Sequence, residues 1–200
     1  MGNIPIRQRH INYGELASIV YYLNKLILKY WGLETTASGS ILAPWVPTRE
    51  ELIPYIMLLA KPRPGDIMYD LGCGDGRVVV EAALRGAKAV CVELNKELVE
   101  RAKERARKSG VIDKITFIND DFFKVSLVDA TIVYMYLLTS VNRMLKPKLE
   151  RELRLGTRVI TLDFEVPGWR PLHITRVSLG YRDATLYYYV KGVSDLHEIK

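Results

Sequence analysis

The stretch Tyr69-Asp70-Leu71-Gly72-Cys73-Gly74-Asp75-Gly76-Arg77 holds residue types and a spacing that could do chemistry. Glycines at alternate positions let a ligand come close to the backbone. Apolar Ile67, Met68 and Tyr69 lead in as a buried strand, and Val78-Val79-Val80-Glu81-Ala82-Ala83-Leu84 leads out as a helix. A strand, a glycine-rich turn and a helix make a nucleotide-binding corner. A dinucleotide site wants glycine at the first, third and sixth positions, with the pyrophosphate on the helix N-terminus. Counted from Gly72 the sixth position is Arg77, and Asp75 stands in the loop, where a carboxylate repels a pyrophosphate. The same carboxylates suit a ligand with an ammonium group and no phosphate. That favours S-adenosylmethionine over a dinucleotide, with a tight turn that binds nothing as the third reading.

Other elements must position this loop. Ala89-Val90-Cys91-Val92-Glu93 predicts a second strand that ends on an acid. Lys96 to Ser109 predicts a charged helix closed by Gly110, with Glu97–Arg101 and Glu104–Lys108 at i,i+4 spacing. Ile115–Ile118 predicts a third strand, followed by Asn119-Asp120-Asp121-Phe122-Phe123. Ala130 to Leu138 is a long apolar run, as a central parallel strand buried on both faces requires. Thr139 to Leu155 predicts a helix with a break or restart at Pro147 and a stop at Gly156, and Thr157–Phe164 a fifth strand. His173–Ser178 and Ala184–Lys191 are joined by too short a segment for a parallel crossover, so they predict an antiparallel pair. Upstream, Thr48 and Glu51 have capping-box spacing before Leu52, Ile53, Ile56 and Leu59, and Pro54 kinks that helix or delays its start. Alternating strands and helices with a closing hairpin give an α/β doubly wound sheet.

Between Ile11 and Trp31, Leu16, Ile19, Val20, Leu23, Leu26, Ile27 and Tyr30 recur at helical spacing. Asn12, Glu15, Asn24, Lys25 and Lys29 interrupt them and argue against a membrane span. An amphipathic helix lying on the domain or on a partner is expected, with a membrane-surface helix as the alternative. The expected division is an N-terminal helical extension over 1–43 and a ligand-binding domain over 44–200.

The chain has 200 residues, 48% hydrophobic, enough for one full core plus a modest extension. A net charge of +6 permits an acidic partner such as nucleic acid without requiring one, because Lys and Arg are spread along the chain. Cys73 and Cys91 show neither zinc spacing nor a disulfide framework, and no signal peptide is visible. A cytoplasmic protein is the resulting expectation. Few cysteines among many charged residues, Tyr and Ile hint at a thermophile.

In a doubly wound sheet ligands bind at the carboxyl ends of the strands. Asp70, Gly72 and Gly74 there would line the methionine part of S-adenosylmethionine. Glu93 would accept from both ribose hydroxyls, Asp121 from the adenine amino group, and Phe122 would offer its amide or its ring face.

With these residues assembled, the chain resembles the class I (seven-β-strand) S-adenosylmethionine-dependent methyltransferases. It resembles more closely the archaeal broad-specificity protein-lysine methyltransferases and their mitochondrial relatives that act on an ATP synthase subunit and on adenine nucleotide translocase. The resemblance covers roughly Pro44 to Lys191. It rests on Trp45-Val46-Pro47-Thr48, the glycine loop, Val92-Glu93-Leu94-Asn95, Leu137-Leu138-Thr139-Ser140-Val141-Asn142, Met144-Leu145-Lys146-Pro147-Lys148-Leu149, Gly156-Thr157-Arg158-Val159 and Phe164-Glu165-Val166-Pro167-Gly168-Trp169. It implies a Rossmann-like sheet ordered 3-2-1-4-5-7-6 with strand seven antiparallel. It also implies Trp45, Thr48 and Leu94 among the cofactor-binding residues. Two features depart from the family: the extension is longer than in compact archaeal members, and Asp121 stands where Asn is expected.

The implied reaction moves a methyl group to a lysine ε-amine of a protein. Trp45, Tyr134, Tyr136 and Trp169 are candidates to line the amine's channel, and Glu165 to orient it. Expected partners are basic or lysine-bearing proteins. Direct nucleic-acid binding is possible but not required, and no transmembrane span is expected. The Asn/Asp-Pro-Pro-Tyr/Phe tetrapeptide of many adenine and glutamine methylating enzymes is replaced by Tyr134-Met135-Tyr136-Leu137. A methyltransferase acting on RNA or a small molecule, and a binding module without catalysis, remain as alternatives.

Overall fold

A computed structural model describes residues 45–180 and 182–196. The chain divides into two compact units, Met1–Trp45 and Val46–Lys200. The helix expected between Ile11 and Trp31 lies outside the described residues.

Strands β1 (Ile67–Leu71), β2 (Lys88–Val92), β3 (Ile115–Ile118), β4 (Ile132–Met135), β5 (Arg158–Leu162), β6 (His173–Ser178) and β7 (Asp183–Val190) form one sheet. Their order is β3-β2-β1-β4-β5-β7-β6, as the resemblance implies. Strands one to five run parallel, and β7 is antiparallel to both β5 and β6. Helices α1 (Ile53–Ala60), α2 (Arg77–Leu84), α3 (Lys96–Lys108) and α4 (Thr139–Glu152) cover its faces. The order reverses between β1 and β4, and ligand crevices open at such a point.

The two-residue period of a strand sorts the core. Tyr69, Leu71, Val133, Met135 and Val159 pack on one face with Leu145, Leu149 and Leu153. Met68, Ile132, Tyr134, Ile160 and Leu162 pack on the other with Leu52, Ile56, Met57 and Ala60 of the first helical segment and Val78 and Ala82 of α2. Full burial of such side chains contributes about 2 kcal/mol each. Asp70, two residues after Met68 and registered opposite Tyr134, belongs to this second face.

Some expectations change. Thr48 does not cap a helix: a short 3-10 turn (Glu50–Leu52) has Arg49 at its cap, without a side-chain bond. Pro54 then delays α1 to Ile53, because proline fits the first helical turn, where its missing amide costs nothing. Helix α4 continues through Pro147 without a break. Fully buried Leu145 and Leu149 and a Lys148–Glu152 ion pair at 2.8 Å hold the turns beside the one lost amide bond.

Cys73 and Cys91, expected to be unpaired, form a disulfide with Cα atoms 5.3 Å apart. Parallel pairing sets Asp70 opposite Cys91, and the loop after Leu71 folds back over that position. Replacing both cysteines by alanine should cost about 3 kcal/mol, the loop-closure value for a separation near 18 residues. Urea unfolding checks this, and an unchanged midpoint would show that the bond does not form in solution.

Candidate active site

The glycine loop follows β1 with Gly72, Gly74 and Gly76 all at positive φ, 85°, 54° and 77°. Their roles differ. A Cβ on exposed Gly72 would meet only Leu137 Cδ2 at 3.4 Å, so this side of the loop is open. A Cβ on Gly76 would lie 2.7 Å from the Ala102 Cβ, so this glycine lets α2 begin against α3.

The two loop acids also separate. Asp75 does not face a ligand. Its carboxylate accepts from Arg77 at 2.6 and 2.9 Å and from Arg105 at 2.8 Å. Burial pushes its carboxyl up, but Arg77 and then Arg105 outweigh that and hold it below the usual range. Arg77 also donates to the Thr48 carbonyl at 2.8 Å. Asp75 is therefore a buckle that ties loop, α3 and the approach to α1 together.

Asp70 is the reverse case. It is 3% exposed, and among the described residues its carboxyl makes no hydrogen bond or ion pair. Burial, then the charges of Glu93 and Asp75, push its pKa well above the usual carboxylate range. A buried acid without a cation is costly unless something arrives to pair with it. S-adenosylmethionine, with an ammonium and a sulfonium, is of the matching charge, so these residues fit that cofactor.

Glu93, just past β2, accepts from the Gly74 amide at 3.0 Å and from the Asn95 amide at 2.9 Å. One bond on each carboxylate oxygen leaves capacity for ribose hydroxyls. Asn119 was not singled out as a site residue, yet its Nδ2 donates to the Glu93 and Leu94 carbonyls, both at 2.9 Å. It staples the end of β3 to the end of β2, and a lone Asn after a strand reads in sequence as an ordinary turn residue. Asp121 Oδ1 accepts from the Phe123 amide at 2.9 Å, and Phe122 packs beside Phe123 with ring centroids 5.0 Å apart.

Thr48 and Tyr134 share a buried hydrogen bond at 2.9 Å. Burial above all keeps the Tyr134 hydroxyl protonated, with its pKa well above the usual value. Tyr136 lies two residues on, partly buried against the same face, and donates to Asp163 Oδ2 at 3.3 Å. Its ring stacks on Phe164 with centroids 6.2 Å apart. Asn142, fully buried in α4, fixes the loop after β5 by donating to the Phe164 and Glu165 carbonyls, both at 3.1 Å.

The structure does not bring Trp169 to this group. It is 4% exposed in the core on the opposite face, edge-on to Tyr189 at 5.9 Å, with Nε1 donating to Glu150 at 3.1 Å. The Glu165 side chain is exposed, and Trp45 is an exposed residue of the other unit.

Residues 70–173 match the family described as the ANTKMT methyltransferase domain. The chain is 45% identical over 151 residues to a protein-lysine N-methyltransferase of Saccharolobus islandicus strain REY15A, covering 74% of this chain and 94% of that protein. It is 36% identical over 132 residues to the adenine nucleotide translocase lysine N-methyltransferase of Mus musculus, covering 66% of this chain and 57% of the mouse protein. Thus it matches less than two thirds of that relative. A crystal structure of an RNA methyltransferase from Salinibacter ruber, in complex with S-adenosyl-L-homocysteine, superposes with a TM-score of 0.70 at 37% identity, covering 76% of this chain and 97% of that one.

Proposed function

The chain belongs to the ANTKMT methyltransferase domain family, and on that premise we propose that it is an S-adenosylmethionine-dependent enzyme that methylates lysine side chains of proteins. The observation that carries the reading is the 45% identity to a protein-lysine N-methyltransferase over 94% of that enzyme's length. Asp70, Gly72, Gly74, Glu93, Leu94, Asp121 and Phe122 bind the donor in this reading, with Thr48 held close by Tyr134. The buried carboxyl of Asp70, without a partner among the described residues, supports a cationic donor.

When bound, S-adenosylmethionine supplies a methyl carbon already activated by a positive sulfur. Held by Asp70, Glu93 and the glycine loop, it would supply that methyl to the lone pair of a lysine amine that has given its proton to water, the C–S electron pair staying on sulfur. Positioning and exclusion of water are what the chain adds. A nearby positive charge and a partly apolar approach past Tyr136 and Phe164 both favour the neutral amine.

A cytoplasmic location belongs to the same reading. The Cys73–Cys91 bond fits it where the host is a thermophile, since intracellular proteins of such organisms keep buried disulfides.

The Salinibacter relative favours a second reading, transfer to RNA. Labelled methyl donor offered to a lysine-rich protein mixture, to total RNA and to neither separates the two. Label on protein lysines, located by mass spectrometry, is the expected result; label on RNA alone would overturn the proposal.

A further inference from the structure

Beyond the residues assigned to the donor, the carboxyl end of β5 carries a second polar arrangement. The chain leaves β5 at Asp163 with φ 59°, a left-handed conformation without glycine. Such conformations persist where the surroundings over-determine them, and they collect at functional sites. Here β7 does the fixing. The Asp163 amide donates to the Thr185 carbonyl at 2.7 Å, and the Thr185 amide donates to Asp163 Oδ1 at 2.9 Å. The other oxygen, Oδ2, accepts from Tyr136 and, at 2.8 Å, from Arg182 of the β6–β7 turn.

Strands β1, β4 and β5 are neighbours, so Asp70, Tyr136 and Asp163 step outward in that order from the glycine loop. Asp163 is thus at the end of this row farthest from the glycine loop. The Arg182 side chain is 38% exposed on a turn, against 16% for Asp163, so water reaches the guanidinium side of the pair. Oδ2 therefore already holds a cation, in a pair open to water on one side.

We propose that Asp163 captures the acceptor lysine as its ammonium at the mouth of the site and releases it inward once it is neutral, and that Arg182 occupies this place until the lysine displaces it. This rests on the lysine reading above and deepens it, by naming the residue that tells a lysine from an RNA acceptor. A carboxylate rewards an ammonium group and repels a phosphodiester. Tyr136 and Phe164 then flank the aliphatic stem.

The test uses the full chain, a lysine-rich protein as acceptor, and separate titration of S-adenosylhomocysteine. Asp163→Asn keeps an oxygen for the Thr185 amide and tolerates the left-handed backbone, but removes the charge. It should raise the acceptor KM about 10- to 100-fold, the range of a lost charged hydrogen bond, with kcat within about threefold and S-adenosylhomocysteine affinity unchanged. Arg182→Gln should lower the acceptor KM, a gain that a merely structural role would not produce. A wild-type acceptor KM in Asp163→Asn, or a parallel loss of S-adenosylhomocysteine binding, would overturn the anchor while leaving lysine methylation intact. An unchanged or raised KM in Arg182→Gln would overturn the placeholder. A wild-type chain that transfers nothing to lysine would remove the underlying reading and the anchor with it.

Discussion

Asp70→Asn is expected to weaken S-adenosylhomocysteine binding about 100-fold or more, abolish measurable methyl transfer, and at the same time raise the unfolding midpoint at neutral pH. The first effect is the loss of a desolvated charge opposite the ligand's ammonium group, an interaction worth several kcal/mol in a buried setting. The second runs the other way because Asp70 is 3% exposed and has no partner in the described protein. The acid that binding needs is a liability to folding, a common exchange at active sites. A variant that bound the ligand normally would exclude Asp70 from the donor site.

The pH dependence has a definite sign. Burial first, then Glu93 and Asp75, raise the folded pKa of Asp70 above its unfolded value. Below the unfolded range both states are protonated and the carboxyl costs nothing. As pH climbs through the folded value the cost of the ionised form appears in full, so the advantage of Asn grows with pH. Ligand affinity moves in the same direction, since the ligand's ammonium group pairs with the ionised form and drives the proton off. Asp75 is held ionised by Arg77 and Arg105, and the Tyr134 hydroxyl stays protonated, so the changing charge nearest the ligand is that of Asp70. Titration calorimetry of wild type across this range, in two buffers of different ionisation heat, should show proton release on binding and tighter binding at higher pH. Binding without proton release, or independent of pH, would sink the assignment.

How much of this was legible in the sequence depends on how local each signal is. The bounds of β3 and β6 agree with expectation residue for residue, because each is a short apolar or β-branched run between turn residues. Glu93 and the glycines were legible for the same reason: their roles follow from standing at the end of a strand. The role of Asp75 was not. Its second partner, Arg105, lies 30 residues away on another helix, and no spacing rule connects them. The disulfide was missed because the two cysteines become neighbours only through strand register. Thr48 has a capping-box pattern but spends its hydroxyl on Tyr134, which is 86 residues distant. Trp169 sat in a segment that the resemblance marked, yet its indole ring is spent on packing against Tyr189, and only tertiary contacts reveal that. Asp163 gave no sequence signal at all, since a left-handed turn normally announces itself with glycine.

The non-local buckle supplies the second large effect. Asp75→Ala should destabilise the fold by about 3–5 kcal/mol, the usual cost of removing one partner from a desolvated ion pair. Its side chain is 11% exposed, and that of Arg77 16%, so water cannot replace the lost carboxylate at Arg77; Arg105, at 36%, is better able to turn outward. Removing Arg77 as well, in Asp75→Ala/Arg77→Met, should recover part of the loss, because the stranded guanidinium is gone. Acid should mimic the single variant. The folded Asp75 pKa is below its unfolded value, so its contribution is full above the ordinary aspartate range and is lost as pH falls through the folded value. Because Arg77 also holds the Thr48 carbonyl, the single variant should loosen residues 46–49 before it unfolds the sheet. Hydrogen exchange of those amides, compared with amides of β1, checks the order. Equal protection of both segments would mean that Thr48 depends on Tyr134 alone, and that the loop acid next to the donor glycines serves stability without shaping the site.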